Sequence, residues 1–343
     1  MKQALAGVVL ASIAVAGTAH ARDQIRVVGS STVYPFTTRV AEEFGRTTKF
    51  PTPIIESTGT GGGFKLFCSG VGVDTPDVSN ASRAIKKSEV ESCTKAGVTG
   101  VTEIKIGYDG IVLANSKKSP QMDITLEQLY RALAKDLPDG KGGFAPNPYK
   151  TWSEVAPSLP NTRIEVLGPP PTSGTRDAFV ELALEGGCKK IDAIAALEKT
   201  DPDKFKAVCH GIREDGAYVE AGENDVLIVR KLEANPAAFG VFGYSFLEQN
   251  QDKIQGSKIN GVADTYENIS SGDYPISRSL FIYVKKPHVG VIPGLQEFVV
   301  EFASDKASGP EGYLADKGLI ALPDEEREKV QKVAKELPNN VGM

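Results

Sequence analysis

The chain has 343 residues, of which 41% are hydrophobic and 24% are charged, and its formal net charge at pH 7 is -5. This length is enough for two domains of ordinary size. The negative balance argues against nucleic acid as a partner, because binding to the phosphate backbone requires basic patches. It does not exclude a small anion, since a binding site depends on local charge.

Residues 1–21 have the pattern of a secretory signal peptide. Lys2 supplies a positive start, Ala4 to Ala16 form a short apolar stretch, and Ala19-His20-Ala21 fits the cleavage rule. The apolar stretch is too short to span a membrane. We therefore expect cleavage after Ala21 and a soluble exported protein. No Cys follows the apolar stretch, so a lipid anchor is not expected.

The first third of the mature chain alternates strands with helices. Three strand-like segments, at 25–28, 54–56 and 77–79, are separated by apolar residues at helical spacing. The long run Ile104 to Ala114 is again strand-like. This alternation is the signature of an α/β fold.

The middle and last thirds continue the same pattern. Thr125 with Gln128 makes a capping box at the start of a helix, and residues 139–148 are rich in Gly, Pro and Asp, as expected of an exposed loop. A helix through Phe179 is expected to end at Gly186-Gly187. The stretch 279–284 is strand-like, and two helices follow, around 295–302 and from Pro323 onwards.

Two of these strands divide the chain into thirds. The apolar stretches Ile104–Ala114 and Ser277–Lys286 could cross between two domains, so that the first and last thirds form one domain and the middle third the other. Two ordinary core strands would give the same pattern, and the sequence alone does not choose between these interpretations.

Three loops share one arrangement, in which a strand ends in Ser, Thr and Gly residues that open a helix. They are Gly29–Thr32, Ser57–Gly63 and Thr172–Arg176. A helix start carries unpaired N–H groups and a partial positive charge, and glycine allows close approach to an oxyanion. Each loop alone could be a plain helix cap. Three together suggest an oxyanion held between several helix ends.

Four cysteines lie in the mature region, at Cys68, Cys93, Cys188 and Cys209. An even count in an exported protein favours disulfides, and four cysteines allow three pairings. The absence of a C-x-x-C motif and the low histidine count disfavour zinc. No metal or other cofactor is expected.

Motifs of known enzyme classes are scarce in this sequence. It contains no P-loop lysine pattern, no H-E-x-x-H and no G-x-S-x-G. His210 and His288 are far apart, and Asp109 and Asp225 have no evident acid or base partner. Catalysis is therefore not expected.

The chain resembles the periplasmic phosphate-binding proteins of ABC transporters, the PstS group of the type II periplasmic-binding-protein superfamily. The resemblance rests on the stretches VVGSSTVYPF, ESTGTGGGFKLF, DVSNASRAI, GPPPTSGTRDAF, FGVFGYSF and YPISRSLFIYVKK. It implies an α/β fold of two lobes, each a mixed sheet flanked by helices, with the ligand in the cleft between them. Lobe 1 would comprise residues 22–112 and 280–343, and lobe 2 residues 113–279.

The resemblance also implies a periplasmic monomer that binds inorganic phosphate and docks on an ABC membrane permease. Ser31 would give a hydroxyl, Thr32 a backbone N–H and Thr60 a hydroxyl from one lobe. Ser173 would donate from the other lobe. The expected phosphate-binding residues are Ser31, Thr32, Thr60, Gly61, Arg83, Ser173, Gly174, Thr175 and Arg176.

Two positions depart from the best-known branch of that family. Arg83 stands where that branch has an aspartate, and Pro169 stands where it has an arginine, while Arg176 follows the S-G-T motif instead. An aspartate there accepts a hydrogen bond from protonated phosphate and repels sulfate. If Arg83 faces the ligand, discrimination against sulfate is expected to be weaker unless another acceptor substitutes. The alternatives are a binding protein for sulfate, molybdate or a phosphonate, and an exported phosphate-ester hydrolase.

Overall fold

The structure is a computed structural model that describes residues 22–171, 173–222 and 225–342. The expected signal peptide and Thr172 lie outside the described residues. Among the residues that it does describe, no helix is long and apolar enough to cross a membrane.

The strands are short, apart from two long ones, the fourth and the last along the chain. In chain order, β1 to β13 are Arg26–Gly29, Ile54–Ser57, Val78–Ala81, Val101–Ser116, Asp123–Ile124, Asp136–Pro138, Phe144–Pro146, Val166–Gly168, Tyr218–Glu220, Phe239–Gly243, Ile254–Gly256, Lys258–Ile259 and Ser277–Lys285.

The helices surround these strands. In chain order, α1 to α16 are Tyr34–Thr47, Thr60–Phe67, Lys87–Lys95, Leu126–Leu133, Trp152–Val155, Gly174–Phe179, Glu185–Cys188, Asp192–Ala195, Leu197–Thr200, Pro202–His210, Asp225–Ala234, Tyr244–Glu248, Tyr266–Ser271, Leu295–Phe302, Asp305–Ser308 and Asp324–Glu336. A π-helical segment, Val180–Leu184, joins α6 to α7, and 3-10 turns lie at Lys286–His288 and Ala315–Lys317.

One part of the sheet brings the ends of three strands together. β1 lies between β2 and β3 and is parallel to both, so that Gly29 pairs with Ser57 on one side and with Asn80 on the other. Carboxyl ends of parallel strands meet at one edge of a sheet, which is where ligands bind in such folds. The first two Ser/Thr/Gly loops start from this edge.

The long strand β4 belongs to both halves of the sheet. Its first part, Val101–Gly110, is antiparallel to β13, which also pairs with β3. Its second part, Ile111–Ser116, is antiparallel to β10 and β11, and β10 leads on to β8 and β9. The strand expected at Ile104–Ala114 is therefore confirmed, and it continues from one half of the sheet into the other.

The buried apolar side chains form separate cores on the two sides of this crossing. One core runs from Tyr108 to Ile276 and adds Ile320 and Leu322 from the end of the chain. The others draw on residues before 107 and after 279. We use the names lobe 1 for residues 22–112 with 280–342 and lobe 2 for residues 113–279. The boundaries themselves remain a proposal.

Both pairs of cysteines form disulfides, which confirms that expectation and decides the pairing. Cys68 bonds to Cys93 within lobe 1, and Cys188 bonds to Cys209 within lobe 2. On the chain-entropy model each contributes roughly 3 kcal/mol, because each closes a loop of about 20 to 25 residues in the unfolded chain. Each crosslink therefore constrains one lobe.

The local predictions mostly hold, with two corrections. The capping box is present, since Thr125 Oγ1 accepts from the Gln128 N–H at 3.1 Å and Gln128 Oε1 accepts from the Thr125 N–H at 3.0 Å. The helix after the third loop does not end at Gly186-Gly187. It continues to Cys188. Gly187 is needed for packing, because a Cβ there would lie 2.1 Å from the carbonyl oxygen of Leu126.

The second correction concerns the loop expected at 139–148. Its tip is exposed, but Phe144–Pro146 is β7, which pairs with β6 in a small hairpin. Asp139 holds the hairpin turn by accepting hydrogen bonds from the N–H groups of Lys141 and Gly143 at 2.7 and 2.9 Å. A short hairpin, with a turn that the Asp139 carboxylate stabilises, therefore stands where the composition predicted a longer loop.

Candidate anion-binding site

The first and second loops pack directly against each other at the sheet edge. The Thr58 N–H donates to the Gly29 carbonyl oxygen at 2.9 Å. A Cβ on Gly63 would lie 2.4 Å from Gly29 Cα, a distance that no side chain allows. Part of the glycine run is therefore explained by close backbone packing of α2 against β1.

The third loop meets the first across the boundary between the lobes. A Cβ on Gly174, the first residue of α6, would lie 3.1 Å from the carbonyl oxygen of Ser31 and 3.3 Å from Thr32 Cα. Ser173 is buried and caps α6, since its Oγ accepts from the Thr175 N–H at 3.2 Å. The structure thus brings Ser31, Thr32, Ser173, Gly174 and Thr175 into one place.

These loops carry backbone donors that the fold leaves unpaired. Among the described residues, none accepts a hydrogen bond from the N–H groups of Ser31 and Thr32 before α1, or of Thr60 and Gly61 in the first turn of α2. Unpaired N–H groups at a helix start need an acceptor such as water or an anion. The arrangement is chemically suited to an oxyanion.

Thr60 faces the segment that follows β3. Its Oγ1 lies 3.1 Å from Ser82 Oγ and accepts from the Ser82 N–H at 3.2 Å. Gly61, beside it, is exposed and has nothing within 4 Å of an ideal Cβ. The Thr60 hydroxyl is therefore held in position within lobe 1.

Arg83 is paired with a neighbour. Its Nη1 and Nη2 donate to the two carboxylate oxygens of Glu89 at 2.9 and 2.8 Å. That hydrogen bond raises the pKa of Arg83. Burial raises the pKa of Glu89, but hydrogen bonds from Arg83 and from the Lys86 N–H outweigh it, and the net pKa is lowered. The positive charge of Arg83 is thus offset within lobe 1.

Arg176 turns back on its own lobe. Its Nη1 donates to the Pro169 carbonyl oxygen at 3.3 Å, and its guanidinium lies 4.5 Å from the ring centroid of Tyr218. A guanidinium over an aromatic face is a favourable contact. This contact accounts for the position of Arg176 through packing in lobe 2.

Sequence reasoning missed Arg278, which lies next to the first loop. Its Nη2 donates to Thr32 Oγ1 at 2.5 Å, its Nη1 to Glu181 at 2.7 Å and its Nε to Asp109 at 3.4 Å. The register of β13 on β4 places Arg278 directly opposite Asp109. An available signal was the presence of charged residues, among them Asp109 and Arg278, within the two apolar crossing stretches.

Asp109 and Arg278 are both withdrawn from solvent, with side chains 10% and 9% exposed. Burial raises the pKa of Asp109, and the charge of Arg278 opposes that rise. Arg278 has a fixed guanidinium that meets groups from both lobes. Of the three arginines considered, Arg278 is the one best placed to bind an anion at the loops.

A separate cavity of about 520 Å³ lies between α12 and residues 310–327. Its charged lining is mainly acidic. The charged residues are Glu248, Glu311, Asp316, Asp324 and Arg327. Such a lining repels anions, so the cavity does not compete with the loops as an anion site.

Known proteins match the chain along most of its length. A family model described as a PBP superfamily domain matches residues 14–306. The chain is 31% identical over 306 residues to a phosphate-binding protein PstS from Staphylococcus saprophyticus, covering 88% of this chain and 81% of that protein. The chain belongs to the PBP superfamily, in the group of the PstS proteins.

Further members support that membership. Protein SphX from Synechococcus elongatus is 33% identical over 264 residues, which cover 75% of this chain and 67% of SphX. The crystal structure of a possible phosphate binding protein from Planctomyces limnophilus has a TM-score of 0.72 and 27% identity, covering 91% of this chain and 98% of its own. An ABC-type phosphate transport receptor from Vibrio cholerae shares the fold, with a TM-score of 0.56 and 18% identity, covering 88% of this chain and all of its own.

Proposed function

We propose that this PBP superfamily member is an exported solute-binding protein that captures inorganic phosphate between its lobes and delivers it to an ABC permease. The names of its PstS relatives and of the Planctomyces limnophilus structure support phosphate as the ligand. The observation that carries the proposal is the close approach of Gly174 in lobe 2 to Ser31 in lobe 1. Beside them, Arg278 donates a hydrogen bond to Thr32.

The site that we propose combines backbone and side-chain donors. To the expected set we add Arg278, because its guanidinium reaches Thr32, whereas Arg83 and Arg176 are held by Glu89 and by Tyr218. Capture without catalysis fits a site made of hydrogen-bond donors. The other proposed donors are Ser31, Thr32, Thr60 and Gly61 from lobe 1, and Ser173, Gly174 and Thr175 from lobe 2.

The expectation of weak discrimination against sulfate rested on Arg83 and Arg176. The pairing of Arg83 with Glu89 and the packing of Arg176 on Tyr218 argue against that expectation. In addition, two carboxylates, Asp109 and Glu181, contact Arg278. A carboxylate near the ligand disfavours an anion that has no proton to offer. We therefore propose that phosphate binds more tightly than sulfate.

Titration calorimetry of the mature protein tests this proposal, after bound ligand has been removed by unfolding and refolding. Phosphate at about a hundred times its Kd should also stabilise the fold by roughly 2.7 kcal/mol. Sulfate and molybdate serve as competing oxyanions. An undetectable phosphate response, or tighter binding of sulfate, would contradict the proposal. A chromogenic phosphate ester with added metals tests for hydrolysis.

Loss of one loop hydroxyl should weaken binding. We expect Ser173→Ala and Thr60→Ala each to raise the Kd for phosphate by about tenfold, since a hydrogen bond to a charged group is worth about 1.5 kcal/mol or more. Ser304→Ala is the matched control for Ser173→Ala, because Ser304 also caps a helix, accepting from the Ala307 N–H at 3.2 Å at the start of α15. Equally weakened phosphate binding in Ser173→Ala and Ser304→Ala would show that lost capping weakens the fold and not the site.

A further inference from the structure

Glu181 is the one partner of Arg278 in the described structure that is well exposed. Its carboxylate accepts from Arg278 Nη1 at 2.7 Å, and its side chain is 51% exposed. The other partners, Thr32 and Asp109, are buried. The guanidinium therefore has two fixed contacts with lobe 1 and one contact with a carboxylate that water can reach.

We propose that Glu181 is a displaceable counter-anion of Arg278, which competes with the bound oxyanion for the guanidinium and thereby sets its affinity and charge preference. The inference rests on the proposed phosphate site. Glu181 lies on lobe 2, in the helical run that begins at the third loop, and Arg278 joins it to Thr32 of the first loop. A carboxylate and a tetrahedral oxyanion both accept from the same guanidinium N–H groups, so they compete for them.

The difference in exposure decides which partner can leave. Asp109 is buried opposite Arg278, and breaking that pair would leave an uncompensated buried charge, which is strongly destabilising. In the pair with Glu181 the carboxylate is the exposed partner, and water solvates it when it leaves Arg278, so its release costs less than that of Asp109. An entering anion therefore displaces Glu181 and leaves Asp109 in place.

The local backbone also singles out Glu181. It lies in the π-helical segment Val180–Leu184, where the Glu185 N–H donates to the Val180 carbonyl oxygen five residues earlier. Single π-helical turns inside α-helices are rare and occur frequently at functional sites. This wider turn lies between α6, which starts at the third loop, and α7, so it sets the direction of Glu181 relative to that loop.

The charge of Glu181, which lies on lobe 2, acts on two residues of lobe 1. Burial is the main cause of the raised pKa of Asp109, and the charge of Glu181 adds to it. The hydrogen bond to Glu89 is the main cause of the raised pKa of Arg83, and Glu181 contributes there as well. Its carboxylate thus faces the region between the lobes, where it repels an anion in proportion to the charge of that anion.

The test compares Glu181→Gln with Glu198→Gln. Glu198 is a matched control, because its side chain is also 51% exposed and it pairs with Lys189 of the same lobe at 3.1 Å. We expect Glu181→Gln to lower the Kd for phosphate by about three- to tenfold, since one repulsive charge and one competing acceptor are removed. Glu198→Gln should stay within about twofold of wild type.

A second measurement separates charge repulsion from a structural effect. At about pH 6 phosphate carries mostly one negative charge and sulfate carries two, so Glu181→Gln should improve sulfate binding by a larger factor than phosphate binding. Equal phosphate Kd values for the two variants, or weaker binding by Glu181→Gln, would overturn the inference alone. Failure of the wild-type protein to bind phosphate would overturn the proposed function and this inference with it.

Discussion

Asp77 in lobe 1 and Asp264 in lobe 2 differ in what surrounds their carboxylates. Asp77 is fully buried and accepts from Arg22 at 2.7 Å and from His288 Nδ1 at 2.6 Å. Asp264 has a buried Oδ2 for which the described residues offer no hydrogen-bond partner. Burial without a cation raises the pKa of Asp264 to about 6. The buried carboxylate of Asp77 thus has hydrogen-bond partners, whereas the buried Oδ2 of Asp264 has none among the described residues.

Arg278 shows a third arrangement at the boundary between the two lobes. Its partners Thr32 and Asp109 belong to lobe 1, and Glu181 belongs to lobe 2. A pair within one lobe, such as Arg83 with Glu89, is unaffected when the lobes move as rigid bodies. Contacts that cross the boundary change with such a motion, which is why the predictions begin with Arg278.

The largest effect is expected from Arg278→Gln. It should raise the Kd for phosphate about 100-fold, because charge-assisted hydrogen bonds contribute about 1.5 to 3 kcal/mol. Calorimetry measures the change. Arg327→Gln is the control, since Arg327 pairs with Asp305 and Asp324 away from the loops. A loss of less than about threefold, on the order of the scatter expected from surface substitutions, would remove Arg278 from the site.

The next largest effect is expected on the free energy of unfolding, from the carboxylate of Asp264 in lobe 2. The folded-state pKa of Asp264 is raised from 3.8 to about 6, so its contribution to stability is greatest below the unfolded value and is lost as pH rises towards 6. Asp264→Asn should therefore raise the free energy of unfolding at neutral pH by up to about 2 kcal/mol, and by little at low pH.

Denaturant titrations at acidic and neutral pH measure this difference. Asp252→Asn is the control, because Asp252 is an exposed aspartate of the same lobe. An equal change at both pH values would show that packing, and not ionisation, distinguishes Asp264. That result would remove the contrast with Asp77.

The smallest effect is expected from Arg83→Gln. Since Arg83 is held by Glu89 within lobe 1, the Kd for phosphate should change by less than about threefold. Loss of the partly exposed ion pair should cost about 0.2 to 1 kcal/mol of stability. Calorimetry and thermal unfolding check the two values. A rise in Kd of about tenfold or more, which corresponds to about 1.4 kcal/mol, would place Arg83 on the ligand.

The sequence predicts those features that depend on neighbouring residues. The capping box at Thr125 and the strands expected around 25–28, 54–56, 104–114 and 279–284 follow from local patterns and were found. The pairing of Arg278 with Asp109 depends on the register of β13 on β4, which joins residues far apart in sequence. Likewise, Gly187 is set by the approach of Leu126, which no local pattern reveals.

The pairing of β13 with β3 and β4 has a consequence for the order of folding. Ala81 pairs with Phe281, so the sheet of lobe 1 stays incomplete until a strand that follows nearly all of lobe 2 in the sequence has joined it. Until then β3 presents an unpaired edge, which is a template for association with other chains. Lobe 1 is therefore expected to be the lobe at which partly folded chains associate.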